Sequence, residues 1–210
     1  MTLSFSRKPR KSFFRRMFEW LLTILIAIII SLFIISNLAT FTQVKEQSME
    51  PTLIENDRVV VNKLGYFFNE PEKGDIVILN RQIEEKGILR NMIYEGKDII
   101  NNIKFKFTGE IEKNNLVKRI VGVKGDTINI ENGNLFVNSK LVVEDYIKGS
   151  TPEKNGITYP IEVPEGQVFV LGDNRENSLD SRDFGLINIE KVKGKVIYRL
   201  LPFNRFGSIY

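Results

Sequence analysis

The chain has 210 residues, 30 Lys+Arg against 26 Asp+Glu, and neither His nor Cys. The two absences exclude thiol nucleophiles, disulfides, thiolate metal sites, a Ser-His-Asp triad and the commonest zinc ligand. Any catalytic proton transfer must fall to Lys, Asp, Glu or Tyr.

The net charge of +4 is a local feature. Arg7, Lys8, Arg10, Lys11, Arg15 and Arg16 lie in the first 16 residues, and the remainder holds 24 basic against 26 acidic groups. No basic stripe runs through the body, so nucleic acid is not an expected partner. From Trp20 to Phe41 no residue is charged. As a helix these 22 residues would span about 33 Å, against a bilayer core of about 30 Å. The basic cluster lies directly before the run and only Lys45 follows closely, which places the N-terminus in the cytoplasm. A cleavable signal peptide is the competing reading, but the run is long for one and Asn37-Leu38-Ala39 is a poor small-residue cleavage site. The expected organisation is a cytoplasmic basic segment over 1–17, a transmembrane anchor over 18–41, and an extracytoplasmic domain over 42–210 in a single-pass protein of the cell membrane.

After the anchor the pattern is mainly β. Arg58–Val61, Asp75–Leu79, Leu116–Val121, Thr127–Ile130 and Gln167–Leu171 are short runs rich in β-branched residues, punctuated by Gly, Asn, Asp or Pro. Glu131-Asn132-Gly133-Asn134 reads as a hairpin turn. No amphipathic helices alternate with the strands, which argues against a doubly wound α/β fold. Residues at about 82–115 are polar and read as an insertion, and a smaller β subregion is expected at about 127–165.

Three segments carry chemistry. Ser48, in Gln47-Ser48-Met49-Glu50-Pro51-Thr52-Leu53, reads alone as a turn or cap serine before a proline. Lys118 lies in a strand where alternation puts it on the face of Ile120, with Val117 and Arg119 opposite. Burial there would disfavour its ammonium and free the amine to act as a base toward a hydroxyl. An edge-strand lysine that blocks aggregation is the plainer alternative. The stretch Gly172–Gly185 follows a strand and reads either as a polar loop or as a self-hydrogen-bonded platform beside a site.

Taken together, SMEPTL, NDRVVVNKL, KRIVGVKGD and GDNRENSLDSRDFG, in that order after an N-terminal anchor, resemble the bacterial type I signal peptidases, peptidase family S26. The resemblance runs from the anchor to the C-terminus. It implies an antiparallel β-sheet catalytic core with a single N-terminal transmembrane helix. Ser48 then matches the nucleophile, Lys118 the general base, and Ser178 the hydroxyl that orients the lysine. Arg119, Asp173, Asp180 and Arg182 match charged positions that brace the site. Met49 and Pro51 match residues that shape the serine turn and the substrate-binding surface. Leu201–Gly207 looks like the family's C-terminal strand.

The implied activity is removal of N-terminal signal peptides from exported preproteins, cutting after small residues in an Ala-x-Ala pattern, with no metal and no cofactor. Membrane lipid is an expected partner, and contact with the secretion machinery is a further expectation. One departure stands out: Glu46 occupies a position two residues before Ser48 where family members often carry Ser or Gly, and a carboxylate facing an oxyanion would be unfavourable. That departure keeps open a catalytically silent homologue acting as a chaperone or assembly partner for surface proteins. A LexA-type self-cleaving repressor is contradicted by the anchor. A β-domain that only binds requires the motif matches to be accidental.

Overall fold

The computed structural model describes residues 13–37, 39–80 and 115–209. The expected insertion and most of the basic N-terminus lie outside the described residues.

In chain order the elements are helix α1 (Phe13–Asn37), β1 (Ala39–Gln43), β2 (Arg58–Asn62), a short helix α2 (Gly65–Phe68), β3 (Ile76–Asn80) and β4 (Asn115–Gly122). They continue with β5 (Thr127–Glu131), β6 (Asn134–Val137), β7 (Lys140–Leu141), β8 (Ile161–Glu162) and β9 (Gln167–Leu171). The chain closes with a one-turn helix α3 (Ser181–Phe184), then β10 (Ile187–Asn188), β11 (Val192–Leu201) and β12 (Gly207–Ser208). Large apolar side chains between Phe13 and Phe33 of α1 are exposed, Trp20 at 73% and Ile30 at 53% among them. Taken over the described residues alone, no helix is long and apolar enough to cross a membrane. The uncharged run does not stay helical to its end. Its last residues enter β1, where β-branched Thr40 and Thr42 suit a pleated strand better than a helix.

All named strand pairs are antiparallel. One sheet runs β1-β2-β11-β3-β4-β9-β10, with β12 on β11; the other runs β7-β6-β5-β8. The central strands of the large sheet are covered on both faces. In β3, Ile76 and Ile78 join one apolar cluster with Met49, Leu53, Val59 and Val61, while Val77 and Leu79 join another with Ile120 and Val168. Strand β9 works the same way: Val168 and Val170 face that second cluster, and Phe169 and Leu171 face the core of the small sheet. Two-sided burial explains why these strands read as unbroken apolar runs, each fully buried Val or Leu contributing about 1.5–3 kcal/mol.

The hairpin between β5 and β6 pairs Ile128 with Val137 and Ile130 with Leu135. Its turn residues Asn132 and Gly133 have φ of 51° and 78°, the left-handed pair that an Asn-Gly turn provides at least cost. The C-terminal expectation needs correction. The long strand is β11, which ends at Leu201; Phe203–Arg205 form a 3-10 turn and only Gly207–Ser208 pair again. Pro202 has no N–H to continue the ladder, so the chain turns there.

Candidate active site

Three segments far apart in sequence meet at β4, which lies between β3 and β9 in the large sheet. The first is the turn after β1. Val44 exchanges backbone hydrogen bonds with Asp57 and Asn56, closing the loop, and Met49 and Leu53 bury their side chains in the core. Ser48, directly before the Met49 anchor, is left at 6% exposure. The second segment is β4, which carries Lys118, fully buried, and Arg119. Val117 packs on one apolar cluster and Ile120 within another, the alternation expected of a strand. The third is the loop from Gly172 to α3.

Lys118 Nζ donates to Ser48 Oγ at 2.6 Å and to the Val117 carbonyl at 3.0 Å. A buried amine against a serine hydroxyl, with neutral oxygens as these two partners, is an arrangement that can take the serine proton. Arg119 is held by a two-point ion pair, Nε to Asp173 Oδ1 at 2.9 Å and Nη2 to Oδ2 at 2.7 Å, with Asp173 fully buried. Asp173 also accepts from Thr52 Oγ1, one turn beyond Ser48.

Further along the third segment, Asp180 caps α3 and receives both Nε and Nη2 of Arg182 at 2.8 Å. Asp183 returns a bond to the Asp180 N–H, which completes a capping box. Burial pushes the Asp180 carboxyl up, but the hydrogen bonds and charge of Arg182 and the Gly172 N–H outweigh it, so the group lies below its usual range. Ser178 Oγ is buried, close enough to Asp180 to help lower that carboxyl, yet it forms no hydrogen bond of full geometry.

Met49 is a core residue at 1% exposure, Pro51 is exposed, and Glu46 is half-buried. Four residues given no role in the sequence reading also build the site. Asn174 donates its N–H to the Ser48 carbonyl and Nδ2 to the Gln47 carbonyl, fastening the serine turn to the third segment. Gly172 approaches so closely that a Cβ there would overlap both Ser48 O and Ser178 Oγ. Arg199 and Arg205 converge on buried Asp57 and on the carbonyls of Pro51 and Thr52. Only Asn174 and Gly172 had a signal, since both lie in the GDNR string.

A family model described as signal peptidase, peptidase S26, matches residues 17–201. The chain belongs to the signal peptidase family. Signal peptidase I P of Bacillus subtilis subsp. natto is 33% identical over 209 residues, covering 96% of this chain and 97% of the relative. Signal peptidase IB of Staphylococcus aureus is 31% identical over 207 residues, covering 91% and 93%. A probable signal peptidase I-2 of Synechocystis is 33% identical over 187 residues, covering 89% and 74%. The crystal structure of a signal peptidase I from Enterococcus faecalis aligns with a TM-score of 0.39 at 23% identity, over 60% of this chain and 97% of that one. The activity that accompanies membership in the signal peptidase family is endoproteolytic removal of signal peptides. Among the described residues no cluster of acidic side chains is arranged to hold a metal ion.

Proposed function

We propose that this chain is a membrane-bound serine endopeptidase that frees exported preproteins from their signal peptides, with Ser48 as nucleophile and Lys118 as general base. The observation that carries the reading is the 2.6 Å contact between Lys118 Nζ and Ser48 Oγ, both buried. The segment before the scissile bond lies extended along a sheet edge, as peptides do when main-chain hydrogen bonds supply the affinity. Ser48 Oγ attacks the carbonyl as neutral Lys118 takes its proton, and the backbone N–H of Ser48 donates to the oxyanion. The amine of the mature protein leaves with a proton from Lys118. Water, deprotonated by the same amine, then releases the signal peptide from the acyl-enzyme.

Asp173, Arg119, Asp180 and Arg182 serve this chemistry as braces, and Ser178, whose hydroxyl is buried near Asp180, is assigned the orienting of the lysine. Met49 fixes the serine turn from beneath, and Pro51 shapes its outer side. The Arg119–Asp173 ion pair holds the lysine strand and the third segment together around a pair whose separation must hold to a fraction of an ångström.

The single-pass topology belongs to the same reading. It rests on the uncharged run from Trp20 to Phe41 and on the exposed apolar side chains of α1. Phe41, Phe203 and Phe206 are also exposed, so the catalytic body presents aromatic rings that suit the lipid interface. Confining enzyme and signal peptide to one bilayer raises their effective concentration. Contact with the secretion machinery fits the same placement. The domain division at residues 17 and 41, with the small sheet as a subregion at about 127–165, follows from this topology. The silent-homologue alternative has no observation in its favour.

The test is mass spectrometry of a preprotein with an Ala-x-Ala site, incubated with the detergent-solubilised chain. A single cut after the second Ala, absent with Ser48→Ala and with Lys118→Ala, is expected. Cleavage by either variant at wild-type rate would overturn the pair.

A further inference from the structure

The segment that joins β7 to β8 of the small sheet crosses over the site. Lys148 N–H donates to the Asp173 carbonyl at 2.7 Å, and Arg175 N–H donates to the Lys148 carbonyl at 3.1 Å. Just before this crossing, the Tyr146 ring lies against Arg119, with the guanidinium carbon 3.9 Å from the ring centre. The Tyr146 hydroxyl donates to Glu144 Oε1 at 2.6 Å, and the same oxygen accepts from Arg175 Nη2 at 2.6 Å. Arg175 is fully buried and the Glu144 side chain is 3% exposed.

These contacts close a ring of side chains. Thr52 bonds Asp173, Asp173 pairs with Arg119, Arg119 stacks on Tyr146, Tyr146 bonds Glu144, and Glu144 pairs with Arg175, two residues from Asp173. The ring joins the serine turn, the lysine strand and the third segment. Its aromatic member comes from the β7–β8 connection of the small sheet. Arg119 is covalently next to Lys118, and Asp173 is next to Asn174, which holds the Ser48 carbonyl. A shift of the Arg119–Asp173 pair therefore moves both halves of the dyad.

We propose that Tyr146 is a positioning residue for the Ser48–Lys118 pair, acting through Arg119, whose guanidinium lies over its ring while the Nε–Nη2 edge pairs with Asp173. The inference rests on the dyad reading above. A ring face attracts a guanidinium and shields it from water, and the Glu144 carboxylate fixes the angle of the ring. The hydroxyl is a tether rather than an acid, since burial and then Glu144 push its pKa up. A purely apolar filler of similar size keeps the packing and loses the attraction.

The experiment compares Tyr146→Phe, Tyr146→Leu and Ser48→Ala in the full-length, detergent-solubilised chain. It measures kcat and KM on a preprotein with an Ala-x-Ala site, with Tm alongside. Tyr146→Phe should keep kcat within about twofold. Tyr146→Leu should lower kcat by about three- to tenfold with KM within about twofold, the scale of one cation–π contact. If Tyr146→Leu does not fold, Tyr146→Met takes its place with the same expectation. Wild-type kcat in a folded Leu or Met variant overturns the proposal, and so does a Phe variant as impaired as Leu. Persistent cleavage by Ser48→Ala would instead overturn the dyad reading itself.

Discussion

Arg205 reaches back 148 residues to Asp57, donating Nη1 to Oδ2 at 3.2 Å. Arg199 Nη1 meets the same oxygen at 3.2 Å, and Asp57 Oδ2 also accepts the Ile54 N–H at 3.0 Å. The two guanidiniums then reach the carbonyls of Pro51 and Thr52. The C-terminal segment is thus a clamp on the turn that carries Ser48.

Removing the anion should cost more than removing either cation. Asp57→Ala leaves two guanidiniums and a backbone N–H without their shared acceptor, and about 3–5 kcal/mol of destabilisation is expected, the range for breaking a buried pair. Arg205→Ala should cost about 1–2 kcal/mol, because its side chain is 27% exposed and water replaces part of what is lost. Urea unfolding of the two variants measures both. Equal losses would contradict the clamp geometry.

Lys118→Arg keeps a basic side chain of similar length but fixes a positive charge in place of the neutral amine, because a guanidinium is not deprotonated in proteins. Cleavage should fall by about 10²–10⁴-fold, the contribution of a positioned general base. A folded Arg variant with near-wild-type kcat would remove Lys118 from the proton transfer.

Gly172→Ala tests the closeness of the third segment to the serine turn. The added methyl overlaps the Ser48 carbonyl, which is backbone and has no rotamer to yield. A destabilisation of about 1–3 kcal/mol is expected from overpacking, with a kcat loss larger than stability alone explains, because the displaced atom belongs to the nucleophile. Unchanged kcat with lowered Tm would separate the glycine from catalysis.

Acid should loosen the third segment. Asp180 has its folded pKa below the usual 3.8. A depressed carboxyl contributes stability that is present above the unfolded value and is lost as pH falls through the folded one. The Tm of the wild type should therefore decline below about pH 4, and Asp180→Asn, less stable throughout, should show a flatter slope in that window. Parallel slopes would assign the acid response to other carboxylates.

Legibility followed locality. The Asn132-Gly133 turn and strand β9 could be read because their signals lie within a few residues of one another. Ser48 and Lys118 were named through motif order, and they do meet. Strand β11 was not read as the centre of the large sheet, because Lys193-Gly194-Lys195 breaks its apolar pattern. Asn174, Thr52 and Tyr146 gain their meaning from partners on other segments, Asn174 from a carbonyl 127 residues away and Thr52 from a carboxylate 121 away. No spacing within one segment encodes such contacts. The same holds for Arg199 on β11 and for Arg205, whose string Leu201–Gly207 looked like a strand and acts as a fastening.

The clamp also sets a clock. Synthesis delivers Pro51 first and Arg205 154 residues later. At about 5–20 residues per second that gap is roughly 8–30 s. Throughout it the nascent chain already holds its serine but not both arginines that fasten the turn beneath it, so the hydrolase gains its full grip only once β11 and the turn after it are added.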